Sequence, residues 1–158
     1  MRHWLMKSEP ATYSIDDLAK KNVPDMWEGC RNYTVRNFIR DQMSIGDLAF
    51  FYHSSCAMPG IVGIMEIVSE AFADPTQFDP KSHYFDPKSP LDNPRWFARN
   101  VSLVERWPTP VTLSDLRGEP LLAGMGVLQR GQRLSVMPVT DEEWKLVSQI
   151  GQAKSAAV

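Results

Sequence analysis

The segment at residues 73–94 constrains the fold more than any other part of the chain, because prolines stand at positions 75, 80, 87, 90 and 94. Proline has no backbone N–H and a fixed φ, so neither a helix nor a central strand can continue through this segment. Ordered loops longer than about 12–15 residues usually have a function. Phe78, Tyr84 and Phe85 favour such an ordered loop. We predict that it packs back on the domain as a pocket wall or lid.

Short strands and short helices are predicted on both sides of this loop. Capping patterns predict helices that begin at Ser14, Thr112 and Thr140. An amphipathic pattern predicts a further helix over 33–43. No regular βαβ alternation occurs, which favours an α+β or barrel-like sheet with flanking helices. Apolar and β-branched runs predict the strands, at 3–6, 48–52, 61–68, 96–104 and 133–137, with the second and third as an antiparallel hairpin.

Chain length and charge narrow the class of protein. A chain of 158 residues fits one hydrophobic core, so we predict a single domain over residues 1–150 and a frayed tail over 151–158. The formal net charge of −2 argues against bulk electrostatic coating of nucleic acid, which depends on phosphate neutralisation. No apolar run approaches the ~20 residues of a membrane helix, and the N-terminus lacks signal-peptide features. We therefore expect a cytoplasmic protein with no membrane partner.

His53 and Cys56 are the first residues to weigh for metal binding or catalysis, with Cys30 and His83 elsewhere in the chain. Structural zinc usually needs four ligands in paired short spacings, so this one mixed pair leads us to expect no metal and no cofactor. A Cys56 thiol activated by His53 is chemically possible, but nothing in their spacing selects it. The chain has no Gly-x-Ser-x-Gly elbow, phosphate loop or dinucleotide fingerprint, and we assign no catalytic residues.

Polar and aromatic residues cluster instead at the ends of predicted elements, where binding sites are usually built. The clusters are residues 7–9 after the first strand, 27–33 before a helix and 52–54 after another strand. Aromatic faces stack on bases, and Ser, Asn and Glu side chains hydrogen-bond to base edges. The combination therefore suits a nucleobase better than a sugar or a lipid. From periodicity alone, burial in the core explains Trp27 and Tyr33 about equally well.

These residues also carry a family resemblance over about residues 2–150. The motifs are, in order, Trp4-Leu5-Met6-Lys7-Ser8-Glu9-Pro10, Trp27-x-Gly29-x-Arg31-Asn32-Tyr33-x-x-Arg36-Asn37, Phe51-Tyr52-His53-Ser54, Gly60-Ile61-Val62-Gly63, Phe78-Asp79-Pro80 and Arg133-Leu134-Ser135-Val136. Together they resemble the EVE domain, the fold of the thymocyte nuclear protein family. The resemblance implies a PUA-like curved β-barrel with flanking short helices and a pocket for a modified nucleobase. It further implies that Lys7, Ser8 and Trp27 border this pocket, with Tyr84 or Phe85 as the second aromatic wall.

We hypothesise a non-catalytic module that recognises one modified nucleobase in DNA or RNA through an aromatic pocket and local contacts. Trp27 is expected to stack on the base. We expect Lys7, Arg31 and Arg36 to meet phosphates, and polar side chains with the Gly29 backbone to read the base edge. The complete predicted set is Lys7, Ser8, Glu9, Trp27, Gly29, Arg31, Asn32, Arg36, Tyr52, His53, Ser54, Tyr84 and Phe85.

Two other classes of function stay open on the sequence. An enzyme or binder that acts on a small nucleoside-like metabolite would use His53 and Cys56. An interaction scaffold would carry only a vestigial pocket. The sequence leaves open which base is bound, whether the partner is DNA or RNA, and the oligomeric state.

Overall fold

The computed structural model describes residues 1–157, which form one mixed sheet flanked by short helices. The strands are β1 His3–Ser8, β2 Asp25–Trp27, β3 Leu48–His53, β4 Gly60–Ile67, β5 Phe72–Ala73, β6 Phe97–Thr112 and β7 Val136–Val139. The α-helices are α1 Ile15–Lys21, α2 Tyr33–Asn37, α3 Leu113–Arg117 and α4 Asp141–Ala156. A π-helical turn, Phe38–Gln42, continues α2, and short 3₁₀ turns occur at Pro75–Phe78, Pro120–Leu122 and Gly126–Leu128.

The sheet curls on itself into a half-barrel. Its strand order is β2-β6-β4-β3-β1-β7, with β5 paired to β6, and β1 and β3 are parallel whereas the other pairs are antiparallel. In a flat sheet β2 would lie three strand spacings, about 14 Å, from β3. The ring of Trp27 on β2 nevertheless packs against Phe51 on β3 at 5.3 Å between centroids. Register shifts in the β3–β4 and β4–β6 ladders accompany this curvature, as β-bulges commonly do.

Two hydrophobic clusters lie on opposite faces of the sheet, because side chains alternate along each strand. The first face carries Trp4, Met6 and Phe51 and is covered by α1 and α2. The second face carries Leu5, Phe50, Tyr52 and Met137 and is covered by α3, α4 and the 3₁₀ turns around Leu122 and Val127.

Most of the predicted elements are confirmed. The hairpin of β3 and β4 forms, and Ser14, Thr112 and Thr140 each cap a helix through a reciprocal capping box. The proline-rich segment is a loop apart from β5 and one 3₁₀ turn. The helix predicted over 33–43 is α-helical only to Asn37. No helix within residues 1–157 combines the length and the apolar character needed to cross a bilayer.

Several features of the chain differ from the predictions. The frayed tail is wrong for residues 151–156, which continue α4, with Gly151 buried against Trp107, while Val158 lies outside the described residues. The strands β2 and β5 were not predicted. β6 extends to Thr112 although it contains Pro108 and Pro110, because its pairing with β4 skips from Arg106 to Val111 and needs no N–H donor there.

Candidate binding site

A cavity of about 970 Å³ opens at the edge of the sheet where β1 and β3 end. The two strands are parallel, so their C-terminal ends meet, and Ser8 pairs with His53. The backbone N–H of Ser54 donates to the Ser8 carbonyl at 3.0 Å, and that of Lys7 donates to the Ser135 carbonyl at 2.7 Å. Ligand pockets in proteins commonly have volumes of about 300–1,000 Å³, so the cavity is large enough for a nucleotide.

The cavity brings together eight of the thirteen predicted site residues. They include polar residues at the end of β1 and in the turn after β3, and the aromatic residues of β2 and the proline-rich loop. The predicted residues that line it are Lys7, Ser8, Glu9, Trp27, Gly29, Arg31, Ser54 and Tyr84.

Trp27 belongs both to the core and to the cavity wall. Its side chain is 7% exposed, and its ring packs edge-on against Phe51 at 5.3 Å and Tyr13 at 6.3 Å between centroids. These contacts fix the orientation of the indole. Its N–H finds no acceptor within residues 1–157, whereas the indole N–H of Trp96 donates to Asp86 at 2.8 Å. Trp27 is therefore a core residue that also lines the cavity, and its contact with a base stays a prediction.

Tyr84 lines the cavity from the proline-rich loop, and the Arg31–Asp74 pair holds its backbone there. The fully buried Asp74 accepts hydrogen bonds from the Gly29 N–H (2.8 Å) and from Nη1 of Arg31 (3.1 Å). Arg31 in turn donates to the Tyr84 carbonyl from Nε (3.1 Å) and Nη2 (2.8 Å). Gly29 has a φ of +86°, and a Cβ there would lie 2.6 Å from the Tyr84 ring. A glycine is therefore required where the ring crosses the chain.

The cavity carries charges of both signs. Lys7, Lys21, Arg31 and Arg133 line it together with Glu9, Asp25 and Glu28. Burial lowers the pKa of Lys7, whose ammonium lies 5.8 Å from the Tyr52 ring centroid. None of the ion pairs formed within residues 1–157 includes Lys7, so its charge is available to a ligand. Desolvation, together with the nearby Asp74 and Asp25 carboxylates, raises the pKa of Glu28.

The assignment of Arg31 to a phosphate contact is wrong. A guanidinium has five N–H donors. In Arg31 they make five hydrogen bonds within the protein, to the carbonyls of Tyr84 and Cys30 and to the side chains of Asp74 and Thr76. Arg31 therefore positions the loop. The backbone N–H of Gly29 is likewise taken by Asp74, so it does not read a base.

Five other predicted residues lie outside the main cavity. Tyr52 points to the second face and is 3% exposed, because it alternates with Phe51 along β3. The Nε2 atom of His53 accepts a hydrogen bond from the Ile15 N–H at 3.1 Å at the start of α1. The side chain of Asn32 caps α2 by accepting from the Val35 N–H. The remaining two are Arg36, which lies over the Tyr33 ring, and Phe85, which lines a smaller neighbouring cavity.

The cysteines show no arrangement for nucleophilic catalysis within residues 1–157. The Cys56 sulfur contacts the carbonyl oxygen of His53 at 3.9 Å, while the imidazole faces Ile15. Burial raises the pKa of the Cys30 thiol to about 12, which disfavours the reactive thiolate. In the same part of the chain, His, Cys, Asp and Glu side chains form no group of three able to hold a metal ion.

Sequence reasoning missed several residues that build the site. Tyr13 lines the cavity and donates to Asp25 at 2.5 Å, and burial together with this hydrogen bond raises the pKa of Tyr13. Arg133 and Ser135 also line the cavity, because β7 lies beside β1. Both residues belong to one of the motifs that carry the family resemblance, so they could have been included in the predicted site. Asp74 gives no such signal, since its partner Arg31 is 43 positions away.

The curled half-barrel with an aromatic and polar cavity at one edge defines a PUA-like domain. The EVE domain family model matches residues 2–150, and the chain belongs to this family. Thymocyte nuclear protein 1 of Gallus gallus is 42% identical, over 96% of this chain and 69% of its own length. A Pseudomonas putida crystal structure aligns with a TM-score of 0.90 and 47% identity, covering 94% of this chain and 98% of that one. The crystal structure of human THYN1 protein in complex with 5-methylcytosine-containing DNA aligns with a TM-score of 0.88 and 40% identity, covering 96% and 98%.

Proposed function

We propose that this chain is a non-catalytic module that binds one modified nucleobase of a nucleic acid, with 5-methylcytosine in DNA as the first candidate. The observation that carries the proposal is the cavity wall at Trp27, where a ring fixed by Phe51 and Tyr13 faces a space lined by polar side chains. The human relative in complex with 5-methylcytosine-containing DNA supports the choice of ligand.

The base is held between two aromatic walls. The core fixes Trp27, while Arg31 holds the Tyr84 backbone and lies 5.6 Å from its ring centroid, so little ordering of either ring is needed when the base enters. Such preorganisation lowers the entropy cost of binding. A base must leave its stack to reach the cavity, which costs a few kcal/mol and least in single-stranded nucleic acid. Stacking on aromatic rings offsets that cost by about 1–3 kcal/mol per base.

The polar side chains divide into two roles. The carboxylates of Glu9 and Glu28 are acceptors for an exocyclic amino group, which cytosine and adenine carry and thymine lacks. Lys7 and Arg133 supply positive charge for the flanking phosphates, since neither makes an ion pair within residues 1–157. The overall charge of −2 confines nucleic-acid contact to this local site.

The test is a titration of the wild-type chain with matched DNA and RNA oligonucleotides that carry 5-methylcytosine, 5-hydroxymethylcytosine, N6-methyladenine or the unmodified base. We expect tighter binding of one modified oligonucleotide and loss of that binding in Trp27→Ala. Trp27 is buried, so Tyr84→Ala serves as a second variant whose fold is less at risk. Equal affinity for every oligonucleotide, or unchanged affinity in both folded variants, contradicts the proposal.

A further inference from the structure

A second cavity, of about 470 Å³, is also bordered by Tyr84. We call it the outer cavity. It shares Gly29, Arg31, His83 and Tyr84 with the main cavity and adds Phe85, Asp86 and Trp96. The two cavities are therefore adjacent, and the Tyr84 residue borders both.

Phe85 gives the outer cavity an aromatic ring that the protein itself leaves unused. Its side chain is 39% exposed, and none of the aromatic pairs within residues 1–157 includes it. The neighbouring Trp96 differs, because its ring stacks on Tyr33 at 4.9 Å and lies 5.6 Å from the Arg31 guanidinium. The Trp96 ring is thus occupied by contacts within the protein, whereas the Phe85 ring is available to a flat ligand.

Two arginines lie near residues of the outer cavity, although neither arginine lines it. Arg36 lies 4.7 Å from the Tyr33 ring centroid, and the half-exposed Arg95 approaches Asp86 at 3.9 Å. Arg36 uses Nε and Nη1 for bonds to Asn37 and to the Arg95 carbonyl, which leaves Nη2 free among the described residues. Asp86 is the acid at this site, and it already accepts from the Trp96 indole and the Lys88 N–H. These two cations therefore favour a phosphate outside the cavity, while Asp86 inside the cavity disfavours one.

We propose that the outer cavity binds the base of the nucleotide adjacent to the one in the main cavity, on the same strand, with Tyr84 between the two bases. This inference rests on the proposed function. The adjacent base stacks on Phe85, and its phosphate faces Arg36 and Arg95. Aromatic stacking accepts any base, because every base has a π face, so this subsite adds affinity for a strand without adding sequence preference.

The outer subsite gives the chain a way to prefer a polymer over a free nucleotide. A modified mononucleotide fills only the main cavity. A strand fills both cavities and gains the second stacking contact, which alanine substitution typically shows to be worth about fivefold to over a hundredfold in affinity.

The experiment compares a mononucleotide with short strands. The probes are 5-methyl-2′-deoxycytidine monophosphate, a DNA trinucleotide with 5-methylcytosine between two thymines, and two versions of that trinucleotide with an abasic sugar on the 5′ or the 3′ side. The variants are Phe85→Ala and Phe85→Leu, which keeps apolar volume without a ring. Leu91→Ala is the matched control, because Leu91 is 79% exposed in the same loop and lines neither cavity.

We expect Phe85→Ala to weaken trinucleotide binding about tenfold and Phe85→Leu nearly as much, with mononucleotide binding unchanged. One of the two abasic trinucleotides should bind the wild type with about the affinity that the intact trinucleotide has for Phe85→Ala. The affinity of that abasic trinucleotide should not fall further in Phe85→Ala. If the wild type binds the mononucleotide but Phe85→Ala affects neither ligand, the outer subsite is contradicted and the main pocket stands. If the wild type binds neither ligand, the proposed function fails and the outer subsite fails with it.

Discussion

Both faces of the sheet carry aromatic and aliphatic side chains, but the rest of the chain covers the two faces to different extents. On the second face, Phe50 stacks on Trp144 of α4 at 3.9 Å between centroids, and Trp107 packs against the backbone of Gly151. On the first face, the aromatic packing reaches Trp27 and then stops at the cavity. The proline-rich loop, held by the ion pair between Arg31 and the fully buried Asp74, lies there in place of a covering helix. The fold therefore leaves one edge of one core uncovered, and the proposed binding site lies at that edge.

The largest difference between the two faces is expected when the tryptophan on each face is replaced by alanine. Truncation of a buried tryptophan costs about 3–5 kcal/mol of unfolding free energy, so Trp27→Ala should destabilise the chain by an amount of this order. Trp144→Ala, at a half-buried position, should cost less. Only Trp27→Ala should lose oligonucleotide binding. Urea unfolding gives the unfolding free energy, and titrations below the unfolding transition give the oligonucleotide affinity. A loss of binding in folded Trp144→Ala would contradict the assignment of binding to the first face.

The charged pair on each face gives the next largest effect. Asp74 is fully buried, and Asp74→Asn would place an amide opposite Gly29 and Arg31, so we expect a loss of about 3 kcal/mol in stability. Binding should weaken as well, because Arg31 holds Tyr84. Lys154→Ala removes the exposed ion pair of Lys154 with Asp115 on the second face and should cost less than about 1 kcal/mol. Equal losses in the two variants would contradict the role assigned to Asp74.

Two glycines allow the same substitution on both faces. A Cβ at Gly29 would lie 2.6 Å from the Tyr84 ring at a positive φ, and one at Gly151 would lie 2.3 Å from the Trp107 ring. Overpacking costs about 1–3 kcal/mol, so both Gly→Ala variants should unfold at lower temperature. Gly29→Ala should also displace Tyr84 and weaken binding, whereas Gly151→Ala should bind normally once folded. Calorimetry and the same titrations separate these outcomes.

The pH dependence at His53 is the smallest expected effect. Burial lowers the pKa of His53, and its neutral form accepts the hydrogen bond from Ile15 that begins α1 on the first face. The unfolded chain therefore binds the proton more readily, so this contribution is complete above the usual value of about 6.5 and is lost as pH falls through the lower folded pKa. His53→Gln keeps an acceptor and cannot titrate. Its unfolding free energy should fall less between pH 7.5 and 5 than that of the wild type, and parallel curves would refute the assignment.

The elements of the fold could be predicted where the signal is local. The capping boxes at Ser14, Thr112 and Thr140 depend on residues three positions apart, and all three are confirmed. β2 has three residues after Pro24 and no alternation to detect, and it exists through distant pairing with β6. The helix predicted over 33–43 is only partly α-helical, because a π-helical turn replaces its second half.

The residues that line the cavity were predictable at the strand ends and only in part in the loop. Lys7, Ser8 and Trp27 line the cavity as the resemblance implies. Tyr52 could have been excluded, because alternation along β3 puts it on the face opposite Phe51. The choice between Tyr84 and Phe85 depends on the hydrogen bonds from Arg31 to the Tyr84 backbone, which join residues 53 positions apart. Such a contact has no local sequence pattern.

A crystal structure of the chain with a single-stranded oligonucleotide containing 5-methylcytosine tests the central claim most directly. We expect the modified base in the main cavity, in contact with the rings of Trp27 and Tyr84, with its amino group facing the carboxylates. A strand bound elsewhere on the surface, or a modified base that stays stacked on its neighbours outside the cavity, would contradict the account.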